Sequence, residues 1–384
     1  MSQAAAKPPG AVEGPDGYEI RKVDAPARLA AAQRLAEASA QGDRDAGKRF
    51  LGAARSHGID LEHFWSSCDP ETGRVREVAL GVRGSGRTAM CFTSQPATRA
   101  AEEELGRVID AACEDFGSTG READVRLAQT LLNPGERSAA RAFAHGGFHE
   151  LARLAYMARP VPTPSEFEDF EPWQLPEGIS ARSLATLGPD LPETSERLVL
   201  ALSRSYEQTM DCPELCTLRT PEDVLDSHKS VRKFDPRWWW LIELDGEPEG
   251  AMLFTACPDS GGVELVYLGI SPRLRGRSLG RTLMRSGMRD LSFGLPRGRA
   301  RERAADLRRR LEQRAGASPV SGAWLSNDCR TGRDGARHRS ALKVVWSLSG
   351  SQKYTAFLDV FGVFRKLSTD CAAFHGPVCV TRWR

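Results

Sequence analysis

The stretch from Glu264 to Met284 constrains the fold of this chain more than any other part of its sequence. Residues 263–270 are apolar on both faces, which predicts a strand that is covered on each side of a sheet. A basic, glycine-bearing loop follows at 275–280, and residues 279–291 have the apolar spacing of an amphipathic helix. A loop of this kind at a helix N-terminus is suited to hold a phosphate group. The stretch therefore predicts an α/β fold with a phosphate-binding turn.

The same order of elements occurs twice along the 384 residues, a length that suits two domains. The first copy predicts a strand at 17–24, helices at 25–40 and 43–57, a hairpin at 76–93, a helix at 96–116, a strand at 125–132, a helix at 134–145 and a strand at 151–159. The second copy predicts a strand at 179–184, helices at 193–206 and 221–232, strands at 238–244, 250–255 and 263–270, and a helix at 279–291. Residues 161–177, rich in proline and acidic side chains, predict a stiff linker rather than packed structure.

The loop Arg275-Gly-Arg-Ser-Leu-Gly280 resembles the [Gln/Arg]-x-x-Gly-x-[Gly/Ala] signature of the GNAT superfamily of N-acetyltransferases. Leu-Gly-Ile-Ser-Pro precedes it and Thr-Leu-Met follows at helical spacing, as in that family. Ser278 departs from the signature, because it replaces the middle glycine. The duplicated order of elements is similar to that of tandem-GNAT proteins of the mycothiol synthase type. The resemblance implies the fold class α/β (α+β), with two tandem GNAT-like domains, each a mixed central sheet flanked by helices.

The resemblance also sets the expected domain boundaries. We expect a disordered tail at 1–16, a degenerate GNAT-like domain at 17–160, a linker at 161–177, a GNAT domain with the acyl-CoA site at 178–291, and a part at 292–384 that does not align with the family. The first copy is expected to lack a cofactor site, because only Ser94 and Gln95 separate the strand from Pro96, so no nest of backbone donors can form. One cofactor site per chain follows.

The family resemblance implies an acyl-CoA-dependent N-acetyltransferase that transfers acetyl directly from acetyl-CoA to a primary amine. Backbone groups of one strand would pair with the pantetheine arm, and the amides of the loop, with the dipole of the following helix, would hold the pyrophosphate. The residues expected to bind the cofactor are Leu268, Gly269, Ile270, Arg275, Gly276, Arg277, Ser278, Leu279, Gly280 and Arg281. No metal is expected.

Glu264 is the candidate general base. Strict alternation would place it on the same strand face as Val266, Leu268 and Ile270, where an uncompensated carboxylate is costly. In the family, an acid near this strand takes a proton from the acceptor amine, often through water. The alternative is a structural glutamate near the mouth of the strand, and the sequence does not decide between the two.

Acceptor binding is expected in the loop-like stretch that follows the first long helix of the second copy. Tyr206, Asp211 and Cys212 are the candidates there. The alternative is a turn in which the aspartate caps the backbone and the cysteine packs inside. The acceptor itself is expected to be an amine-bearing small molecule or peptide.

Composition narrows the partners and the location. No apolar run reaches the length of a membrane span, and the N-terminus has no apolar signal core, so we expect a cytoplasmic protein without a membrane partner. The nine cysteines show no repeated CxxC spacing, which predicts reduced thiols. Residues 294–340 contain 12 Arg, no Lys and 5 acidic residues, but no interleaved aromatics, so a solvated basic segment is favoured over nucleic-acid binding. The rival function is a catalytically inactive GNAT-like binding or regulatory module.

Overall fold

The computed structural model describes eleven stretches of the chain, which together contain two β-sheets with flanking helices. The described residues are 12–13, 17–40, 42–118, 125–133, 135–153, 162–209, 213, 215–230, 234–257, 262–294 and 378–383. None of the helices in these stretches is long and apolar enough to span a membrane.

The described strands are β1 (Val12–Glu13), β2 (Glu19–Lys22), β3 (His63–Cys68), β4 (Val75–Gly84), β5 (Thr88–Thr93), β6 (Leu127–Leu132), β7 (His149–Arg153), β8 (Ile179–Ser183), β9 (Trp239–Leu244), β10 (Glu247–Cys257), β11 (Gly262–Ile270) and β12 (Val378–Trp383). The described helices are α1 (Arg28–Ala40), α2 (Ala46–Ser56), α3 (Arg99–Ser118), α4 (Arg137–His145), α5 (Leu184–Leu187), α6 (Pro192–Tyr206), α7 (Leu215–Leu218), α8 (Pro221–Ser230) and α9 (Leu279–Gly294). Single 3₁₀ turns occur at Pro164–Phe167 and Pro236–Trp238.

The first sheet has the order β1-β2-β3-β4-β5-β6-β12-β7, and we call it, with α1–α4, the first unit. Its neighbours are antiparallel except for β5 and β6, which run parallel. Alanine-rich faces of α1 and α2 pack with Phe50 and Phe64 on one face of the sheet. Helices α3 and α4 cover the other face around Leu105 and Phe143. Each face therefore has its own apolar core, as expected for a central sheet between helix layers.

Strand β12, near the C-terminus of the chain, lies between β6 and β7 of the first unit. It is antiparallel to both, with Val378 opposite Leu132 on one side and opposite Arg153 on the other. Residues 292–384 do not align with the expected family pattern, and within that range the structure describes only the end of α9 and this strand. The end of the chain thus returns to complete the first sheet.

The second sheet has the order β11-β10-β9-β8, and we call it, with α5–α9, the second unit. Its four described strands are all antiparallel. Helices α6 and α8 pack on one face around Leu202, Leu225 and Trp239, and α9 packs on the other around Leu283 and Phe254. Strand β11, which precedes the predicted phosphate loop, is the edge strand of this sheet among the described residues.

The predicted linker packs against the second unit. Trp173 lies with its ring centroid 5.3 Å from that of Trp240, and its Nε1 donates to Asp290 of α9 at 3.0 Å. The guanidinium of Arg285 lies 4.2 Å from the ring centroid of Phe170. The prediction of an unpacked linker at 161–177 is therefore wrong. The proline content predicted a stiff, solvated segment, but burying the aromatic side chains is favourable enough to pack this segment against the second unit.

The two units meet at the β4–β5 hairpin turn and the first turns of α8. Arg87 Nε lies 3.0 Å from each carboxylate oxygen of Asp223, and Ser227 Oγ donates to the Ser85 carbonyl oxygen at 2.9 Å. Gly86 (φ +66°) and Arg87 (φ +54°) both adopt left-handed backbone conformations. A Cβ on Gly86 would overlap the Asp223 carbonyl oxygen, so only glycine allows this close approach.

The predicted fold class, α/β with two sheets flanked by helices, is confirmed. The predicted helices and strands of residues 17–153 and 179–291 correspond to described elements, whereas β1, within the expected disordered tail, and β3 were not predicted. Strand β3, His63–Cys68, was missed because its buried positions include His63, Ser66 and Ser67, which break the apolar pattern. The boundaries of the two expected domains remain a prediction.

Removing β12 tests its place in the first sheet. Deleting residues 378–384 should leave β6 and β7 without their shared backbone partner and destabilise the first unit by about 2–4 kcal/mol. Hydrogen exchange should then become faster in peptides covering β6 and β7 but not in those covering β9 and β10. Deleting residues 2–8 serves as the control, and unchanged exchange in β6 and β7 would contradict the assignment.

Replacing Gly86 tests the contact between the units. Gly86→Ala should lower the free energy of unfolding by about 1–3 kcal/mol more than Gly73→Ala does, because the new methyl group overlaps α8. Gly73 (φ +67°) is the matched control, since its backbone has nearly the same angle but nothing lies within 4 Å of an added Cβ. Urea denaturation measures both, and equal losses would show that the hairpin does not seat against α8.

Candidate functional site

Strand β11 contains a bulge at Val266. Tyr267 pairs with Leu253 of β10, whereas Leu265 pairs with the next residue, Phe254, so Val266 is an extra residue in β11. A bulge of this kind interrupts the regular alternation of side chains along a strand. Val266 and Tyr267 therefore both belong to the apolar cluster beneath α6 and α8.

Because of the bulge, Glu264 lies on a different face of the sheet from the one predicted. Leu265 and Leu268 lie on the α9 face of the sheet, and so does Ile270. By alternation from Leu265, Glu264 points to the opposite face, the one covered by α6 and α8. The prediction that Glu264 shares a face with Leu268 and Ile270 is wrong, because the extra residue Val266 lies between them.

Glu264 lies half-buried near the beginning of β11, directly opposite the buried Thr255 of β10. It shares its face of the sheet with Tyr267 and with helices α6 and α8. The carboxylate is thus on the face of the sheet that α6 covers, and the expected acceptor residues lie at and just after the end of α6.

The loop that follows β11 begins with a tight turn. The amides of Leu274 and Arg275 donate to the carbonyl oxygens of Ser271 and Pro272 at 3.0 and 3.3 Å. Gly276 (φ +77°) and Ser278 (φ +58°) are then left-handed, with Arg277 between them outside that region. Alternation of this kind turns successive amides toward a common point, as in an anion-binding nest. The serine at the family's middle glycine position thus adopts the backbone conformation that the glycine would allow.

The start of α9 continues this row of donors. The first amides of a helix have no partners within the helix, and they carry its positive dipole end. Gly280 is exposed and nothing lies within 4 Å of a Cβ added to it, so the approach to these amides is open. The side chain of Leu279 instead packs in the core beneath α9. Arg277 and Arg281 are exposed beside the turn, with no ion-pair partner among the described residues.

The Arg275 side chain ties the loop to the end of α6. Its Nε donates to the Ile270 carbonyl oxygen at 3.1 Å. Its two terminal nitrogens donate to the carbonyl oxygens of Gln208 and Ser205, both at 2.9 Å. Because its amide already donates within the turn, Arg275 does not offer this amide to a ligand, and its side chain instead holds the loop against the end of α6. The predicted set of phosphate-facing amides therefore narrows to those that follow Arg275.

The place that corresponds to this loop in the first unit is closed. Ser94 is fully buried, its amide donates to the Val78 carbonyl oxygen at 3.1 Å, and its hydroxyl donates to Glu77. Arg34 donates to the Gln95 carbonyl oxygen at 2.9 Å and pairs with Glu77 at 2.8 Å. Burial raises the pKa of Glu77, and Ser94 and Arg34 oppose this shift. Because these backbone groups are already paired beside a carboxylate, the first unit offers no phosphate-binding turn here.

Tyrosine side chains fill the face that Glu264 shares with α6 and α8. The Tyr267 hydroxyl bonds to the Ser205 hydroxyl, and its ring centroid lies 6.0 Å from that of Tyr206 and 5.5 Å from that of His228. The Tyr267 ring crosses Gly269 so closely that a Cβ there would overlap it. Tyr206, an expected acceptor residue, is half-buried in this cluster, whereas Asp211 and Cys212 lie outside the described residues.

The first unit contains a buried histidine–aspartate pair that sequence reasoning missed. His63 Nδ1 lies 2.8 Å from Asp115 Oδ2, and Arg83 Nε donates to His63 Nε2 at 2.9 Å. An arginine can only donate, so His63 Nε2 accepts and the ring is neutral. Burial lowers the pKa of His63, although Asp115 opposes the shift. With both ring nitrogens engaged, this pair is a structural network rather than a general base.

Comparison with known proteins bears on the second unit. Residues 203–292 match the model of the acetyltransferase (GNAT) family, a range that runs from the end of α6 into α9. A search of the curated proteins gave no match.

Several solved structures are similar in fold. A GCN5-related N-acetyltransferase from Sphaerobacter thermophilus is 19% identical, with 76% of this chain and 92% of that chain covered and a TM-score of 0.43. A tandem GNAT protein from the clavulanic acid biosynthesis pathway is 16% identical, with 72% and 85% covered and a TM-score of 0.36. YncA from Salmonella typhimurium, solved with its cofactor acetyl-CoA, is 17% identical, with 37% and 88% covered and a TM-score of 0.26.

The family assignment follows from the model match at residues 203–292. That range contains the bulged strand β11, the left-handed turn after it and nearly all of α9. Residues 203–292, within the second unit, therefore match a domain of the acetyltransferase (GNAT) family.

Proposed function

We propose that the protein is an acetyl-CoA-dependent N-acetyltransferase that transfers acetyl directly to a primary amine, with one acyl-CoA site in the second unit. The observation that carries the proposal is the turn at 275–281. Gly276 and Ser278 are left-handed there, the amides at the start of α9 are open, and Arg277 and Arg281 flank them. Backbone donors and two cations at a helix N-terminus suit a pyrophosphate.

The outer edge of β11 suits the pantetheine arm. Within the described part of the second sheet, β11 has a neighbour on one side only, so the outward-facing main-chain groups of Leu268, Gly269 and Ile270 are available, except for the Ile270 carbonyl oxygen, which accepts from Arg275. An extended amide-bearing chain can add to such an edge as a further strand. We propose that these residues hold the arm and that an amide of the same edge stabilises the negative charge that develops on the thioester carbonyl oxygen.

Glu264 is proposed as the general base. It accepts a proton from the ammonium group of the acceptor, directly or through a water molecule. The neutral amine nitrogen then forms a bond to the thioester carbonyl carbon, and the carbon–sulfur bond breaks. As the amide forms, its nitrogen loses its remaining extra proton, and this proton passes to the leaving CoA thiolate, directly or through solvent, so that the products are the N-acetylated amine and CoA. A thiol of pKa about 8.5 leaves without an obligatory acid group, so the reaction does not require one from the protein.

Acetyl-CoA binding tests the site. Millimolar acetyl-CoA should raise the melting temperature of the intact protein, because a ligand at about 100 times its Kd adds about 2.7 kcal/mol of stability. Gly280→Glu should abolish the rise, since a carboxylate at the start of α9 repels the pyrophosphate. Gly52→Glu, at an exposed position of α2 with nothing within 4 Å, is the matched control and should keep the rise. No rise for the intact protein would refute the proposal.

Replacing Glu264 tests the base. Glu264→Gln should lower kcat by about 10²-fold while leaving acetyl-CoA affinity unchanged, because the amide cannot accept the proton. Thiol release with a panel of primary amines measures the rate. Glu247→Gln, an exposed carboxylate of the same sheet, is the control. Full activity in Glu264→Gln would make Glu264 structural, and acetyl-CoA binding with no turnover on any amine would support the alternative, a non-catalytic binding module.

A further inference from the structure

Two guanidinium groups contact Asp223 where the first unit meets α8, Arg87 at its carboxylate and Arg219 at its main-chain oxygen. Arg87 Nε lies 3.0 Å from both oxygens of Asp223. Arg219, just before α8, donates from Nη2 to the main-chain oxygen of Asp223 at 2.7 Å and to the Ser227 hydroxyl. The Asp223 carboxylate is thus engaged by Arg87, and Arg219 bonds only to neutral groups through this nitrogen.

The Arg219 guanidinium retains an unused donor. Its Nε is shielded from solvent and has no hydrogen-bond partner in the described part of the chain. Burial lowers the pKa of Arg219, and the nearby Tyr206 and Asp223 oppose this shift only in part. A shielded N–H of a charged group that is left unbonded is unfavourable, so the position favours an added acceptor of negative charge.

The neighbouring titratable groups of the described residues do not supply that charge. Burial raises the pKa of the Tyr206 phenol well above its usual value, so it stays protonated. Burial lowers the pKa of His228 to about 3, and the ring is neutral at physiological pH. Arg87 and Arg219 therefore lie near a single carboxylate, that of Asp223, and these three groups together carry one excess positive charge.

Arg219 lies on the acceptor side of the second unit. Its charge acts on Tyr206, whose ring contacts Tyr267 of β11. Tyr267 belongs to the face of the sheet that Glu264 also points to. Glu264 and Arg219 therefore lie on the same side of the second sheet.

We propose that the acceptor is an amine that also carries an anionic group, a carboxylate or a phosphate, and that Arg219 binds this group. The inference rests on the proposed function, because it names the acceptor class of that same site. Glu264 would meet the ammonium group and Arg219 the anionic group, so that both charges of a zwitterionic acceptor are paired.

Matched pairs of amines test this in the full-length protein with CoA present. L-alanine and L-phenylalanine are compared with their amides, and O-phosphoethanolamine with ethanolamine, by thermal shift and calorimetry. The anionic member of at least one pair should bind at least about 10-fold more tightly. A preference within the amino-acid pairs identifies a carboxylate, and one within the ethanolamine pair identifies a phosphate.

Four variants assign the preference to Arg219. Arg219→Gln should weaken binding of the anionic amine by about 10- to 100-fold and leave the uncharged partner unchanged, while Arg219→Lys should retain part of the preference. Arg87→Gln leaves Arg219 in place but frees Asp223 to pair with it, so the preference should also fall. Arg237→Gln, which removes an exposed cation paired with Asp235, should change nothing.

Equal binding within every pair, no response to any anionic amine, or a preference that survives Arg219→Gln would overturn the proposal. These readouts measure binding and need no turnover. The acetyl-CoA melting shift, measured on the same samples, separates the two failures. A shift without Arg219-dependent anion binding refutes only this inference, and no shift refutes the proposed function.

Discussion

The bulge at Val266 is the constraint on which the second unit depends. A regular strand would place Glu264 on the same face as Leu268 and Ile270, within the apolar cluster beneath α9. An uncompensated carboxylate there would be costly, and the apolar face could not support the helix that follows. The extra residue turns Glu264 to the opposite face while Leu268 and Ile270 still pack under α9. The same strand can thus anchor the phosphate-type turn and present a carboxylate to the other side.

The two units share an order of strands and helices but differ in the turn that could bind a phosphate. Both place a helix directly after the last of several antiparallel strands, α3 after β5 and α9 after β11, yet the turns before these helices differ in charge and in hydrogen bonding. In the second unit the turn is left-handed at Gly276 and Ser278 and flanked by arginines. In the first, Ser94 is buried against Glu77, and its amide already donates to the Val78 carbonyl oxygen. The first unit instead contributes a hairpin turn that holds α8 through Arg87 and Asp223.

Most helices and strands could be predicted from the sequence, because their apolar spacing is clear and the phosphate-type turn has a local signature. Three features could not. Strand β3 buries His63 and two serines in a polar network, so its pattern is not apolar. The bulge at Val266 depends on pairing with β10 and leaves no mark in β11 itself. The insertion of β12 between β6 and β7 is a pairing of segments far apart in the chain.

Part of the candidate site could likewise be predicted from the sequence, and part could not. The turn residues follow from local sequence, whereas Arg219 and Arg275 emerge only from contacts across the fold. Arg275 fits the signature, but its side chain clamps α6 through Ser205 and Gln208. Arg219 has no motif around it, and only the structure shows its unbonded buried nitrogen and its bond to the Asp223 main-chain oxygen. These features depend on which residues are brought together by the fold, and a local sequence pattern does not show that.

Hydrogen exchange with and without acetyl-CoA tests the central claim, a single acyl-CoA site in the second unit, most directly. The account predicts that acetyl-CoA slows exchange at the amides of 268–270 and 276–281 and leaves residues 94–104 of the first unit unchanged. Protection at 94–104, or none at 276–281 with saturating acetyl-CoA, would contradict it.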